Sequence, residues 1–160
     1  MKALVFSDSH GKYSNIKDAL ELHKSNTDVV IFLGDGIKDI ERIKDNYPQI
    51  AFFLVKGNCD FMVSEYENER VIILGESRVL ICHGHTLNAK NTYLRLTMRA
   101  MELECDAVLF GHTHIPFDDL YDANDKRVHL FNPGSIGYNG SYGIINTSGS
   151  VLVTSHGKIL

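Results

Sequence analysis

Short apolar runs, each closed by a polar residue or a glycine, recur along the chain at Leu4–Ser7, Val29–Leu33, Phe52–Val55, Val79–Cys82 and Asp106–Phe110. Their length and their Val, Leu, Ile and Phe content predict buried strands. Between the first runs the period changes. Ile16, Ala19, Leu20 and His23 share one face of a helix predicted over Ser14–Lys24, and Ile37, Ile40 and Ile43 line a second helix that stops before Pro48. Strand and helix therefore alternate, which predicts a parallel sheet. Glu69–Leu74 and Arg78–Cys82 break that rhythm as a hairpin joined by Gly75-Glu76-Ser77. Asn91 is placed to cap a third helix, with Leu94, Met98 and Met101 on one side and Leu96, Ala100 and Leu103 on another. So broad a stripe predicts burial between layers, with the methionines as core filler. From Asp106 onwards strands dominate: Phe117–Tyr121, Arg127–Phe131, Tyr142–Asn146 and Val151–Ser155, with turns at Ala123–Lys126 and Ser148-Gly149. Asn132-Pro133-Gly134-Ser135 reads as a rigid turn, and the polar, glycine-rich stretch Gly137–Ser141 as a mobile loop. The expected fold class is α/β, a two-sheet β-sandwich flanked by helices, in a single domain over residues 1–160.

Composition narrows the functions. A chain of 160 residues buries roughly 70% of its unfolded surface in one domain. Lys and Arg number 16 against 20 acidic residues, a net charge of −4, so no extended nucleic-acid groove is expected. A small anionic substrate must then be attracted locally. No apolar run reaches membrane-helix length, and Met1–Phe6 is too short for a signal peptide, so the expectation is a cytoplasmic protein with no membrane partner. Three cysteines without a Cys-x-x-Cys pair predict reduced thiols, with Cys82 and Cys105 as packing residues.

The chemistry lies at the strand ends. Asp8, His10, Asp35, Asn58, His83, His112 and His114 all fall just beyond apolar runs. Taken singly, Asp8 reads as a helix cap, Asp35 as a turn residue between glycines, and Asn58 as a left-handed turn residue. Taken together, seven metal-capable side chains at one end of a sheet point to metal. Carboxylate, imidazole and amide donors without thiolate suit Mn2+, Fe2+, Zn2+ or Ni2+, and argue against a structural cysteine site. Two ions ~3.5–4 Å apart would clamp the attacking and leaving oxygens of a phosphoryl displacement.

Asp8-x-His10, Gly34-Asp35, Gly57-Asn58-Cys59-Asp60, His83-Gly84-His85 and Gly111-His112-Thr113-His114 resemble, in order, the signature blocks of the calcineurin-like metallophosphoesterase superfamily. Overall length and the Asn132–Ser135 turn resemble its small, single-domain YfcE-like branch of phosphodiesterases. The resemblance implies a metallophosphoesterase-like α/β/β/α fold and two divalent metal ions, manganese first among the candidates. Asp8, His10, Asp35 and His114 would hold one ion. Asn58, His83, His112 and the bridging Asp35 would hold the other, with Asn58 and His83 also catalytic and Asn58, with His85, in reach of the phosphate. The implied nucleophile is a hydroxide shared by the metals, and the implied substrate a small phosphodiester. The third block departs from the family pattern, because Cys59 stands where histidine is usual, and a thiol is a poor copy of an imidazole acid. Asp60, which would orient that histidine, is accordingly left outside the catalytic set.

Other readings are weaker. A cysteine-dependent phosphatase needs an arginine six residues after its cysteine, and Glu65, Asn88 and Gly111 occupy those positions. An aspartyl-phosphate enzyme built on Asp8 leaves the paired histidines unexplained. The rival from another class is a protein-binding scaffold like the retromer subunit of this fold, with weak or no catalysis. An exposed apolar sheet face could also support a homodimer.

Overall fold

The computed structural model describes residues 1–123 and 126–159. The alternating half of the chain forms β1 (Lys2–Phe6), α1 (Tyr13–His23), β2 (Val29–Phe32), α2 (Ile37–Lys44) and β3 (Ala51–Leu54). The hairpin is β4 (Glu69–Leu74) and β5 (Ser77–Cys82), followed by α3 (Leu94–Glu102), β6 (Ala107–Leu109), β7 (Phe117–Ala123), β8 (Lys126–Asn132), β9 (Ser141–Ser148) and β10 (Val151–Lys158). Two five-stranded sheets result, in the orders β10-β9-β1-β2-β3 and β4-β5-β6-β8-β7. β1, β2 and β3 run parallel, as do β5, β6 and β8, while the remaining pairs are antiparallel.

The apolar runs are continuous rather than alternating because both faces of the parallel strands are covered. In β1, Ala3 and Val5 face the other sheet with Ile31, Val79, Ile81 and Leu109. Leu4 and Phe6 turn outward onto Ile16, Leu20, Ile37 and Ile40 of α1 and α2. On the second sheet Leu80, Val108 and Leu130 pack outward onto Leu96 and Ala100 of α3. The order helix, sheet, sheet, helix is the architecture expected from the sequence.

Several details differ. The hairpin turn has two residues rather than three, because Ser77 pairs with Leu74 and leaves only Gly75, at φ 62°, and Glu76 outside the ladder. Asn91 does not cap α3. Its amide bonds to Asn88, and the Thr92 hydroxyl accepts from the Leu94 N–H instead. Nor is α3 buried on both stripes, since Leu94 is 61% and Met98 51% exposed. A helix against a single sheet needs one apolar face, so Leu94 and Met98 lie outside the core while Met101 packs at its edge. Residues 124 and 125, the middle of the turn read at Ala123–Lys126, lie outside the described residues. On the same hairpin Asp118 pairs with His129, and Asp122 with Arg127.

Candidate metal centre

Both sets of parallel strands end at the same edge of the sandwich, and their last residues turn sharply. Seven described residues other than glycine have positive φ, and five of them are Asp8, His10, Asp35, His112 and His114, leaving Asn88 and Glu104. Such a conformation is uncommon in L-residues, and its concentration at one edge marks a functional site. Asn58, read from sequence as left-handed, is not among them.

The side chains converge. His114 Nε2 lies 3.0 Å from Asp8 Oδ1, and His10 Nε2 lies 3.7 Å from the same oxygen and 3.9 Å from Asp35 Oδ2. His83 Nε2 stands 3.4 Å from Asp35 Oδ2 and 3.9 Å from Asp8 Oδ1. One oxygen of Asp35 is therefore shared between two groups of histidines. The His112 ring packs with its centroid 5.0 Å from that of His83, and its backbone N–H donates to Asp8 Oδ2. His85 lies beyond, 5.4 Å from His83 between ring centroids. Asn58 sits on the exposed rim, where its amide donates to Cys59 Sγ at 3.4 Å. Cys59, His10 and Asp35 also each place one donor atom within 4.8 Å of the other two.

The polar partners fix which atoms face inward. Asp8 Oδ2 accepts from the Ser7 hydroxyl at 2.6 Å and from the His112 amide at 3.0 Å, leaving Oδ1 toward the histidines. Asp35 Oδ1 accepts from the Cys59 N–H at 2.7 Å, leaving Oδ2 free to face His10 and His83. His83 Nδ1 bonds to the Leu33 carbonyl at 2.7 Å, which assigns its proton to Nδ1 and aims the Nε2 lone pair into the site. Asp8 Oδ1 and His83 Nε2 are buried and have no hydrogen-bond partner. Buried polar groups are almost always paired. Orphan carboxylate and imidazole atoms facing one another fit divalent cations.

Supporting residues escaped the sequence reading. Asp60 accepts four backbone N–H bonds: Oδ2 from Asp35 and Gly57 at 2.7 and 2.9 Å, Oδ1 from Gly36 and Ile37 at 2.9 and 3.0 Å. It is buried, and it shapes the loop that presents Asp35. Asp39, in the first turn of α2, accepts from the Ser9 hydroxyl at 2.6 Å and the Gly11 N–H at 2.7 Å, tying down the turn that carries His10. Asn132 holds the Gly111 carbonyl and the Gly134 N–H, and Ser135 donates to the Asp8 carbonyl. The stretch expected to be a mobile loop is anchored, with Gly137 N–H on the Asp8 carbonyl and the Tyr138 ring stacked on His114 at 5.0 Å. The approach is tight at Gly57, where a Cβ would run into the Asp35 carboxylate, and at Gly111, where it would meet the Ser7 hydroxyl. Beside His10 and Asp35 opens a cavity of about 300 Å³, walled by Cys59, Phe61 and Met62 with Lys38 at its edge.

Burial and the neighbouring charge of His83 depress the His112 imidazole to about 4, so its ring is neutral at physiological pH. Burial works against the charged form of His83 too, but the Asp35 and Asp8 carboxylates outweigh it and raise its pKa. Asp35 is correspondingly lowered: burial opposes this, and the positive charge that His83 carries when protonated, 3.4 Å away, prevails. The thiol of Cys59 is pushed up to about 11 by desolvation and by Asp35. In the metal-free protein the raised His83 contributes stability below the ordinary histidine pKa, and this is lost as pH rises through its folded value. Bound metal replaces that proton. Thermal melts across pH 5–9 are therefore expected to show metal-free protein weakening above about pH 6.5, while metal-loaded protein gains on the metal-free form over the same range. A gap between them that narrows as pH rises would contradict the assignment of His83.

The sequence matches the calcineurin-like phosphoesterase superfamily domain over residues 1–150. It is 32% identical over 137 residues, 85% of this chain and 75% of the other, to the probable metallophosphoesterase YsnB of Bacillus subtilis (strain 168). Among solved structures, one described as a novel archaeal phosphodiesterase superposes with TM-score 0.72 at 23% identity, covering 98% of this chain and 99% of that one. A single mutant of Vps29 from Entamoeba histolytica gives TM-score 0.74 at 19% identity, covering 100% of both chains. Fold and site thus define a metal-dependent hydrolase of phosphate esters. The chain belongs to the calcineurin-like phosphoesterase superfamily.

Proposed function

We propose that this protein is a phosphodiesterase whose centre takes two divalent ions. Asp8, His10, Asp35 and His114 hold one; Asp35, Asn58, His83 and His112 hold the other. The observation that carries this reading is Asp35 Oδ2, flanked by His10 Nε2 at 3.9 Å and His83 Nε2 at 3.4 Å, with Asp8 Oδ1 and His83 Nε2 otherwise unpartnered. When bound, such a pair supplies an ionised water as nucleophile at neutral pH and offsets charge on the phosphate oxygens.

The chain's own groups do the rest. Asp8 and Asp35 set the negative charge of the site, and the Leu33 carbonyl keeps the His83 proton on Nδ1. The exposed amide of Asn58 donates to a phosphate oxygen. Cys59 stands where a histidine acid is usual and offers no imidazole proton to the departing alkoxide, which favours esters with good leaving groups. An open cleft without a base-reading segment favours broad specificity, and the archaeal phosphodiesterase of this fold supports the diester over the monoester. Reduced thiols fit a cytoplasmic setting.

Chelator-stripped protein assayed on an aryl phosphodiester and its matching monoester, with Mn2+, Ni2+, Zn2+ and Mg2+ added back in turn, tests the reading. Manganese-restored turnover, higher on the diester, is the expected result. Tight metal binding without turnover under any ion would instead favour a Vps29-like scaffold, the reading that the fold likeness and the missing histidine support.

A further inference from the structure

We propose, building on the metal-centre reading, that Cys59 is itself a ligand, and that its sulfur biases the centre toward thiophilic divalent ions such as zinc over manganese. Cys59 Sγ, a ring nitrogen of His10 and a carboxylate oxygen of Asp35 lie within 4.8 Å of one another, a span that a single ion bridges. Two contacts fix the cysteine. Its N–H donates to Asp35 Oδ1 at 2.7 Å, and its sulfur accepts from the Asn58 amide at 3.4 Å. The carboxylate that Cys59 grips is the one shared with His83, whose Nε2 is fully buried and without a partner. An independent cation-seeking donor thus lies on the far side of the same carboxylate.

The chemistry is simple exchange. A metal–sulfur bond forms, the S–H bond breaks and its proton passes to water, with no change of oxidation state. Thiolate is a soft donor and selects for zinc and similar ions, whereas a set built only from carboxylate, amide and imidazole leaves the choice to availability. Cys59 is exposed, so metal has access to it, while Cys82 and Cys105 are buried under α3.

Cobalt(II) provides the test, because it takes zinc-like sites and reports its ligands optically. Titration of the metal-free full chain is expected to give visible ligand-field bands together with a near-ultraviolet sulfur-to-cobalt charge-transfer band. Cys59→Ser is expected to keep the first and lose the second. In parallel competition titrations the same variant should lose about tenfold or more in zinc affinity, with manganese affinity changed much less. Ligand-field bands without the charge-transfer band in the unmodified protein would overturn the role of Cys59 and leave the metal centre standing. Absence of any cobalt spectrum would overturn both.

Discussion

Asp35→Asn is expected to lower manganese-restored diester turnover by at least about 10³-fold, the loss that follows when several kcal/mol of electrostatic stabilisation is removed. The replacement keeps the shape of the side chain and removes its charge. Asp35 faces the site with the one oxygen shared by His10 and His83, and its other oxygen is taken by the Cys59 N–H. An amide cannot serve both sides. If its oxygen meets the Cys59 N–H, its NH2 points at two imidazoles meant for cations. The fold should survive, because the Asp60 clamp grips the backbone of Asp35 and not its side chain. Steady-state kinetics at saturating manganese, with metal affinity measured alongside, would detect the loss. Turnover within tenfold of the unmodified protein would rule out a shared carboxylate.

The second large effect lies in stability. Asp60→Asn retains one acceptor oxygen and sets an NH2 against two of the four N–H groups that Asp60 now satisfies. Each buried donor left unpaired costs about 1–3 kcal/mol, so a destabilisation of roughly 2–6 kcal/mol is expected. For a chain of this size that lowers Tm by roughly 5–25 °C. Metal affinity should fall with it, since the displaced loop carries Asp35. An unchanged melting temperature would show that Asp60 does not organise the site.

Much of this was legible in the sequence. The apolar runs gave the strands and their layering, because burial on both faces is written into residue type. The donors at the strand ends were visible only as a set: singly Asp8, Asp35 and Asn58 have structural readings, whereas seven metal-capable side chains at one end of a sheet point to metal. Clamping residues were not visible in this way. Asp60 and Asp39 look locally like a turn acid and a first-turn helix acid, and their partners lie 24 and 30 residues away. No local pattern reveals a contact across that separation. The stripes of α3 failed for a related reason, since periodicity shows which faces are apolar and not how many layers will cover them. The direction of a short side chain is equally silent, so Cys59 read as a missing histidine and not as a sulfur beside His10 and Asp35.

The donors also divide by origin. Asp8, His10, Asp35 and Asn58 follow strands β1, β2 and β3 of one sheet, whereas His83, His112 and His114 follow β5 and β6 of the other. A cation lodged between them acts as a rivet through the sandwich. Loading then resists the opening of the two sheets at that edge as well as serving chemistry. The side chains that set the charge of the site are also those that would tie the two sheets together with an ion between them.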